Sequence, residues 1–495
     1  MVRLSKAHLR RVAAVLLSAF VAACASFQVA DTTPLPPAKL EPPGSDAISA
    51  DGYRLSSLQA DGTLPDMLVM VAMSGGGKRS AAFSYGALKG MGALTIPTPA
   101  GGTTNLLSEV DGISGVSGGS FTAAYYGLYR DKMFGQYEKD FLYSDTESHI
   151  FGIYLLPWNW TWLADPTVGT NDFMERVYDK TMFHGATFKD LQDRGRPVIA
   201  IGATDISYGT PFIFTQEAFD LICSDLAQFP LARAVAASNG FPGLFSPVTL
   251  TNNAADCGGR RPGWVTRVSQ AERQDPLSRV GVQAVNIDRY LDPKRTTYVH
   301  LADGGIADNL AMRVAGSMMQ NLALSPSAIT ALGYDRYRRI LVISVDGQGA
   351  QDSSVAQRKA VGGIFSLFGL VSGAQIDRYN FETLNTVSDQ IQDIVRALRQ
   401  TRCARGRVID GAACDDVQGA LIHISLTAMP ESPEKNELLA IPTGLTIAPH
   451  DVDLLVAAGQ KAIATSEPLR QFLDSYPPAP LPPKATGQRP RQGRA

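Results

Sequence analysis

Five short apolar runs limit the fold of this chain more than any other feature of its sequence. They cover residues 67–73, 198–203, 297–302, 340–345 and 420–426. Continuous apolar runs of this length are typical of strands that are buried on both faces. Amphipathic stretches, predicted as helices near 79–94, 119–131, 228–240 and 376–399, alternate with them. The alternation predicts an α/β domain with a largely parallel central sheet.

Composition excludes two broad classes of protein. With 495 residues, 45% hydrophobic and 19% charged, the chain can bury at least one large core. Its net charge of −2 argues against a nucleic-acid binder held by phosphate contacts. The one long apolar run, near the amino terminus, is shorter than the roughly 20 residues that a membrane-spanning helix needs. A polytopic membrane protein is therefore excluded.

The amino terminus has the layout of an export signal. Residues 1–11 are basic, residues 12–23 are apolar apart from Ser18, and Cys24 follows. Small residues before Cys24 resemble the lipobox of bacterial lipoproteins, although an ordinary cleavage site with an accidental cysteine is the alternative. We therefore expect a lipoprotein-type signal peptide over 1–23. Lipidated Cys24 would then hold the protein on a membrane surface of the bacterial cell envelope, at the outer membrane or the periplasmic face.

Proline-rich segments lie at both ends of the expected domain. Residues 24–50 predict an extended, lipid-anchored tether, and residues 476–495 predict a proline-rich basic tail outside the fold. The folded domain is expected over 51–475.

Four cysteines follow Cys24, and they are Cys223, Cys257, Cys403 and Cys414. An even number in an oxidising compartment predicts disulfides. No C-x-x-C pair of a zinc site occurs among them. Three pairings are open, and we expect the sequential ones because each encloses a short loop.

A glycine-rich segment follows the first apolar run, and residues 74–80 read S-G-G-G-K-R-S. Its backbone N–H groups would converge on an anion at a helix N-terminus. A Walker A loop would need glycine at position 72 and Ser or Thr at 79, where Ala72 and Arg79 stand, and the dinucleotide pattern fails at Ser80. Two interpretations of this segment remain, which are an oxyanion hole and a tight turn without a binding role.

Residues 115–119, G-V-S-G-G, match the pattern G-x-S-x-G, which occurs once in the chain. In this pattern a serine lies on a sharp turn between a strand and a helix. Ser117 is therefore the candidate nucleophile. With the glycine-rich segment, it would supply the nucleophile and the oxyanion donors that acyl transfer requires.

A serine nucleophile also needs a base. Asp303 ends an apolar run and is followed by two glycines, which would leave its carboxylate unobstructed, although a turn aspartate capping its own backbone is the alternative. A Ser-Asp-His order is also available, because His300, His423 and His450 all follow Ser117.

Together these residues resemble the patatin-like phospholipases, which carry G-G-G-x-R-G, G-x-S-x-G and D-G-G or D-G-A in this order. Two further stretches look similar to the same family, 203–205 with 211–214 and 234–238 with 241–245, and the likeness covers roughly 67–315. Two departures are Ser80 in place of a usual glycine and the absence of the proline common after D-G-G.

The resemblance implies a patatin-like three-layer α/β/α fold. It also implies a Ser117–Asp303 dyad without histidine, no cofactor and no metal. The implied oxyanion hole and its supporting residue are Gly75, Gly76, Gly77 and Arg79.

We therefore expect a serine lipid acyl hydrolase of phospholipase A or lysophospholipase type, acting on phospholipid or other acyl esters. Its motif core would be 67–315 and its C-terminal extension 316–475. The alternatives are a Ser-Asp-His carboxylesterase using His423 or His450, and a catalytically silent envelope lipoprotein that binds lipid or a partner.

Two aromatic segments could hold an acyl chain, although ordinary core packing would explain each of them alone. The candidate acyl-binding residues are Trp158, Trp160, Trp162, Phe365 and Phe368.

Overall fold

A mixed sheet forms the centre of the fold. The computed structural model describes residues 29–30, 32–55, 63–98, 101–148, 152, 169–349, 353–357, 359 and 364–475. Within them the sheet has nine strands: β1 (Val29–Ala30), β2 (Met67–Met73), β3 (Gly112–Val116), β4 (Val198–Asp205), β5 (Thr210–Phe214), β6 (Val248–Thr251), β7 (Tyr298–Ala302), β8 (Arg339–Asp346) and β9 (Gln418–Ser425).

The order across the sheet is β1-β6-β7-β4-β3-β2-β8-β9, with β5 paired to β4. The run β4-β3-β2-β8-β9 is parallel throughout. In contrast, β7 is antiparallel to both of its neighbours and β5 is antiparallel to β4. The predicted largely parallel sheet is confirmed.

Three strands meet β4 along its length, and this sets the position of the site. Both β3 and β5 pair with Ile201 and Gly202, so they lie on opposite edges of β4. Both β5 and β7 pair with Thr204 and Asp205, so they also lie on opposite edges. Therefore β3 and β7 share one edge of β4, and their carboxyl ends face each other.

The helices cover both faces of the sheet. They are α1 (Gly77–Ala93), α2 (Gly118–Tyr129), α3 (Thr170–Tyr178), α4 (Phe188–Arg194), α5 (Gln216–Leu221), α6 (Leu231–Ser238), α7 (Gly263–Arg267), α8 (Gln270–Gln274), α9 (Arg279–Tyr290), α10 (Gly305–Asp308), α11 (Arg313–Ala323), α12 (Pro326–Ala331), α13 (Ile364–Arg405), α14 (Pro433–Ala440), α15 (Pro449–Thr465) and α16 (Glu467–Asp474). Short 3₁₀ or π turns occupy Pro37–Lys39, Leu106–Glu109, Arg130–Met133, Glu138–Leu142, Asp179–Phe183, Tyr334–Arg336 and Ser353–Gln357.

Alternation along β2 shows the layering, since successive side chains of a strand point to opposite faces. Val69 and Val71 belong to the apolar cluster that contains α1, α2 and α15. Leu68 and Met70 belong to a second cluster with α11 and α13. All seven residues of β2 are buried, so the three-layer α/β/α fold expected from the sequence is confirmed.

All five predicted strands are present, with ends within two residues of their predicted positions. The four predicted helices correspond to α1, α2, α6 and α13, and α13 is much longer than predicted, at 42 residues. Strands β5 and β6 were not predicted. The five residues of β5 contain Pro211, and the four residues of β6 are too few for their alternation of apolar residues with Thr to be distinguished from a loop.

The C-terminal extension is an integral part of the domain. It supplies β8 and β9, which cover the edge of β2, and α13 packs on one face of the sheet. Helix α15 lies directly on α1, where a side chain on Gly86 or Gly459 would collide with the backbone of the other helix. Two glycines therefore allow an unusually close helix contact between the motif core and the extension.

Residues 29–30 and 32–50, which belong to the predicted tether over 24–50, pack onto the domain instead of extending from it. Strand β1 pairs with β6, and Thr33–Pro34 pairs with Ser224–Asp225. Leu35 is 4% exposed against the Cys223–Cys257 bridge, and such burial gives a proline-rich segment a fixed position. Cys24 and the tail 476–495 lie outside the described residues.

Both expected disulfides are present. Cys223 and Cys257 have Cα atoms 5.8 Å apart, and Cys403 and Cys414 have Cα atoms 4.9 Å apart. The second bridge encloses the short ladder Val408–Ile409 with Ala412–Ala413 at the end of α13. Of the helices that the structure describes, none has the length and apolarity to span a membrane.

We predict that a chain ending at residue 315 will not fold, whereas a chain ending at residue 475 will. The shorter chain lacks β8, β9, α13 and α15, so one edge of β2 and large parts of both apolar faces would be exposed. Circular dichroism and size-exclusion chromatography of both chains test this. A cooperatively unfolding, monomeric chain ending at residue 315 would contradict it.

Candidate active site

Ser117 lies at a strained turn between β3 and α2. Its backbone angles are φ 48° and ψ −124°, a conformation that a residue with a side chain rarely adopts and that costs about 1–3 kcal/mol. The Ser117 N–H donates to Ser238 Oγ at 2.9 Å, and Ser238 Oγ donates to the carbonyl of Gly202 at 2.6 Å. These two bonds hold the turn against β4.

The glycines of the G-x-S-x-G pattern are required by close backbone contacts. A Cβ on Gly115 would lie 2.7 Å from the carbonyl oxygen of Gly119, and a side chain on Gly119 would collide with the Met73 carbonyl. The pattern therefore describes a serine raised on a turn that only glycine neighbours permit.

The hydroxyl of Ser117 is hydrogen-bonded to the carboxylate of Asp303. Ser117 Oγ donates to Asp303 Oδ2 at 2.9 Å, and the Gly305 N–H donates to Asp303 Oδ1 at 2.7 Å. The Asp303 N–H donates to the Gly240 carbonyl at 3.0 Å. Ser117 and Asp303 are 6% and 7% exposed, so water has little access to either.

The head-to-head arrangement of β3 and β7 brings these two residues together. Val116 pairs with Gly202 and Ala302 pairs with Thr204, so the two strands end two residues apart on β4. Ser117 and Asp303 are the residues that follow these ends. Thr204 Oγ1 donates to the Asp303 carbonyl at 2.8 Å and fixes the second of the two turns.

Burial raises the pKa of Asp303 to about 6, while the hydrogen bonds from Gly305 and Ser117 oppose the increase. No cationic side chain contributes to this balance. The carboxylate is therefore ionised at neutral pH, yet it is a stronger base than an exposed aspartate.

The glycine-rich segment lies beside Ser117, since a Cβ on Gly75 would be 3.3 Å from Ser117 Cβ. The Gly75 N–H donates to the Asn309 carbonyl at 2.9 Å and is thus already engaged. Among the described residues, nothing accepts a hydrogen bond from the N–H of Gly76 or Gly77. Their φ angles of 128° and 61° are ones that glycine adopts readily. Two of the three expected oxyanion donors are therefore free, at the positive end of α1.

Arg79 joins α1 to two segments that follow in the chain. Its Nε donates to the Gly347 carbonyl at 2.8 Å and its Nη1 to the Ile441 carbonyl at 2.7 Å. The Lys78 N–H donates to the Gly444 carbonyl at 3.0 Å. The expected support of the glycine segment by Arg79 would therefore act through the C-terminal extension rather than through direct contact.

The histidines lie elsewhere. His300 Nδ1 is 2.9 Å from Thr249 Oγ1, and His450 is exposed in the first turn of α15. His423 Nδ1 is 3.2 Å from Ser344 Oγ, on a strand three positions from β3, roughly 14 Å across the sheet. Within the described part of the chain, Ser117 and Asp303 form no hydrogen bond with a histidine.

Three residues of the site were not predicted from the sequence. Ser238 holds the Ser117 N–H, Asn309 occupies the Gly75 N–H, and the Asn239 side chain lies 3.3 Å from Ser117 Oγ. Ser238 falls in a stretch that resembles the family, which could have indicated it. No sequence signal marks Asn239.

Some candidates remain predictions. Trp158, Trp160 and Trp162 lie outside the described residues, and so do the side chains of Phe365 and Phe368 in α13. Among the residues that the structure describes, no group of three or more His, Cys, Asp or Glu side chains could hold a metal ion.

The fold and the site define an α/β/α protein with a serine on a sharp turn bonded to a buried aspartate. Residues 71–315 match the family model described as "Patatin-like phospholipase". This part of the chain is therefore similar to the domain of that family. No curated protein matches the sequence.

Solved structures similar to this chain include human GIVD cytosolic phospholipase A2, at 12% identity and a TM-score of 0.40, covering 83% of this chain and 63% of that one. The same enzyme in complex with methyl gamma-linolenyl fluorophosphonate matches at 12% identity and a TM-score of 0.35, covering 83% and 60%. The chain spans about three fifths of the length of these structures.

We predict that Asp303→Asn stabilises the fold at pH 8. The folded pKa of about 6 lies above the ordinary value of 3.8, so ionised Asp303 costs stability above pH 6, by up to about 3 kcal/mol. This cost shrinks as the pH falls from about 6 to 4, because the wild-type carboxyl becomes protonated. Thermal unfolding at pH 8 and pH 4 measures the difference.

The matched control is Asp389→Asn, at an exposed position in α13, which should leave stability nearly unchanged at both pH values. If Asp303→Asn were less stable than the wild type at pH 8, buried Asp303 would be stabilised by interactions that outweigh its desolvation, and the raised pKa would be wrong.

Proposed function

We propose that this protein is a serine lipid acyl hydrolase of phospholipase A or lysophospholipase type, with Ser117 as the nucleophile and Asp303 as the base. The observation that carries the proposal is the 2.9 Å hydrogen bond from Ser117 Oγ to Asp303 Oδ2, at a strained turn beside the N–H groups of Gly76 and Gly77. The family match of residues 71–315 supports a lipid as the substrate.

The first half of the reaction acylates the serine. Asp303 Oδ2 accepts the hydroxyl proton as Ser117 Oγ attacks the carbonyl carbon of the ester. The N–H groups of Gly76 and Gly77 donate to the oxygen that becomes negatively charged. The intermediate then collapses, the alcohol leaves with the proton from Asp303, and the acyl group stays on Ser117.

The second half releases the fatty acid. Asp303 accepts a proton from water while the water oxygen attacks the acyl carbonyl, and the same two N–H groups stabilise the second oxyanion. Collapse returns the proton from Asp303 to Ser117 Oγ. One base therefore serves both steps, which is consistent with the absence of a histidine among the described hydrogen bonds of the pair.

The same proposal includes export and attachment to a membrane through lipidated Cys24, in the bacterial cell envelope. The two disulfides support an oxidising compartment. Cys24 precedes Val29, which lies in the sheet, by five residues, and five residues reach at most about 18 Å. An acyl anchor on Cys24 would therefore hold the domain close to the lipid surface that carries its substrate.

We expect Ser117→Ala and Asp303→Asn each to remove nearly all ester hydrolysis, because each deletes one half of a unit that acts together. The measurement is release of fatty acid and lysolipid from phospholipid vesicles, followed by mass spectrometry. Fluorophosphonate labelling should mark Ser117 in the wild type and be absent in Ser117→Ala. Because ionised Asp303 is the active form, kcat/KM should rise with pH through an inflection near 6 and stay constant above it.

The controls are His300→Ala, His423→Ala and His450→Ala, which should keep activity within about tenfold. A loss of a thousandfold or more in one of them, with unchanged thermal unfolding, would replace the dyad with a Ser-Asp-His arrangement. Retained labelling in Ser117→Ala would contradict the proposed nucleophile.

Replacing Cys24 with Ala should abolish lipid modification and release the protein from membrane fractions. Ser26→Ala leaves the cysteine in place and should stay lipidated. Mass spectrometry of the mature amino terminus distinguishes the two variants. An unmodified Cys24 in the wild-type protein would contradict the anchor without affecting the proposed chemistry.

A further inference from the structure

The Asn239 side chain is a second polar neighbour of the Ser117 hydroxyl. Its amide lies 3.3 Å from Ser117 Oγ at one end and 3.3 Å from the Tyr178 hydroxyl at the other. Asn239 is 5% exposed and Tyr178 is 2% exposed, so neither group can exchange these contacts for bulk water. Each of them therefore needs a hydrogen-bond partner inside the protein.

The backbone around Asn239 is held at several points. Ser238 Oγ accepts from the Ser117 N–H, the Ser238 carbonyl accepts from the Gly304 N–H, and the Gly240 carbonyl accepts from the Asp303 N–H. The segment 238–240 thus bridges the turn of the nucleophile and the turn of the base. The amide of Asn239 is placed between them by a rigid frame rather than by a mobile loop.

The structure has Asn239 Oδ1 towards Ser117 Oγ and Nδ2 towards the Tyr178 hydroxyl, but a count of protons favours the amide turned end for end. Ser117 has one hydroxyl proton, and the 2.9 Å bond to Asp303 uses it. With the amide oxygen towards Ser117, that oxygen would receive no proton, and the Tyr178 hydroxyl proton would have no acceptor among the described residues. With the amide nitrogen towards Ser117, Ser117 Oγ and Asn239 Oδ1 each accept a proton and the Tyr178 hydroxyl proton has an acceptor.

The satisfied arrangement is a directed chain. With the amide turned, the Tyr178 hydroxyl would donate to Asn239 Oδ1 and Asn239 Nδ2 would donate to Ser117 Oγ, while Ser117 Oγ donates to Asp303 Oδ2 as the structure shows. Phe121 packs edge-on against the Tyr178 ring at 4.7 Å between centroids and holds the ring in place.

We propose, building on the proposed function, that Asn239 is a catalytic residue that donates a hydrogen bond to the nucleophile oxygen, and that Tyr178 is a positioning residue that orients it. As the Ser117 proton moves to Asp303, negative charge grows on Oγ, and a fixed donor stabilises that charge. Charge returns to Oγ when it leaves the acyl group, so the donor acts in both halves of the reaction.

The test measures the rate of Ser117 labelling by an alkyl fluorophosphonate. In this reaction Oγ bonds to phosphorus, fluoride leaves and the proton passes to Asp303, so the rate reports on the nucleophile without the natural lipid. Asn239→Leu should slow labelling by about a hundredfold, as expected for removal of one fixed donor. With a nitrophenyl ester, kcat should fall and KM should stay nearly unchanged, because the donor acts mainly in the transition state.

Tyr178→Phe should slow labelling less than Asn239→Leu. The Asn239 amide still has its N–H donor in this variant, but it loses the Tyr178 hydroxyl that orients it. The double variant should be no slower than Asn239→Leu alone, since Tyr178 acts only through Asn239. Tyr137→Phe is the matched control, because its buried hydroxyl bonds to Thr122 and has no described hydrogen bond to the site. It should label at the wild-type rate.

Asn239→Asp tests the pH dependence of labelling, which would not change if Asn239 had only a structural role. Its carboxylate would be a second negative charge beside Asp303, so the pH inflection of labelling should rise above 6. If Asn239→Leu does not fold, Asn239→Ala takes its place in the same comparison.

The outcomes separate this proposal from the function on which it rests. Persistent labelling of Ser117→Ala would overturn the proposed nucleophile itself. Loss of labelling in Ser117→Ala with less than about a tenfold effect of Asn239→Leu would leave the hydrolase in place and overturn the role of Asn239. Multiplying losses in the double variant would also overturn the directed chain.

Discussion

The site depends on two strands that share one edge of β4 and run towards each other. A parallel strand, β3, ends at Val116, and an antiparallel strand, β7, ends at Ala302, two positions further along the same edge. Ser117 and Asp303 lie close together because each directly follows the last residue of its strand. The pairing of Ser117 with Asp303 is thus a consequence of backbone register, and a one-residue slip of either strand would move its side chain to the other face of the sheet.

Two unfavourable features are concentrated at this junction. Ser117 has a strained backbone, and Asp303 carries a carboxylate in a site where burial opposes its charge. Both features also serve the chemistry that we propose, since the strained turn holds the hydroxyl against Asp303 and burial makes the carboxylate more basic. They persist because the surroundings are well bonded: Ser238 holds one turn and Thr204 holds the other. Under the proposed function, stability at this site is exchanged for reactivity.

How much could be predicted from the sequence differs between the fold and the site. The buried strands could be predicted because an apolar run with both faces covered carries its own signal, and Ser117 and Asp303 could be selected because glycines surround both. The packing of residues 32–50 could not, since prolines that suit a tether also suit a short edge ladder such as Thr33–Pro34. The hydrogen bond of the Gly75 N–H could not be predicted either, because its acceptor, the Asn309 carbonyl, comes from a distant part of the chain. Asn239 could not be predicted either. A single amide at a helix end has an ordinary role in most sequences, and only its distance from Ser117 in the structure distinguishes it.

The position of the free N–H groups of Gly76 and Gly77 links the site to the far end of the chain. Gly77 lies so close to the Gly444 carbonyl that a Cβ there would be 2.5 Å from it, and the next N–H along the chain, from Lys78, donates to the same oxygen. Gly444 in turn follows Ile441, whose carbonyl is held by Arg79. The Gly444 carbonyl accepts from the Lys78 N–H, and among the described residues the two preceding N–H groups have no acceptor. The extension beyond residue 315 therefore fixes the residue that follows the glycines, while the motif core engages the Gly75 N–H through Asn309, so both parts of the chain shape the proposed site.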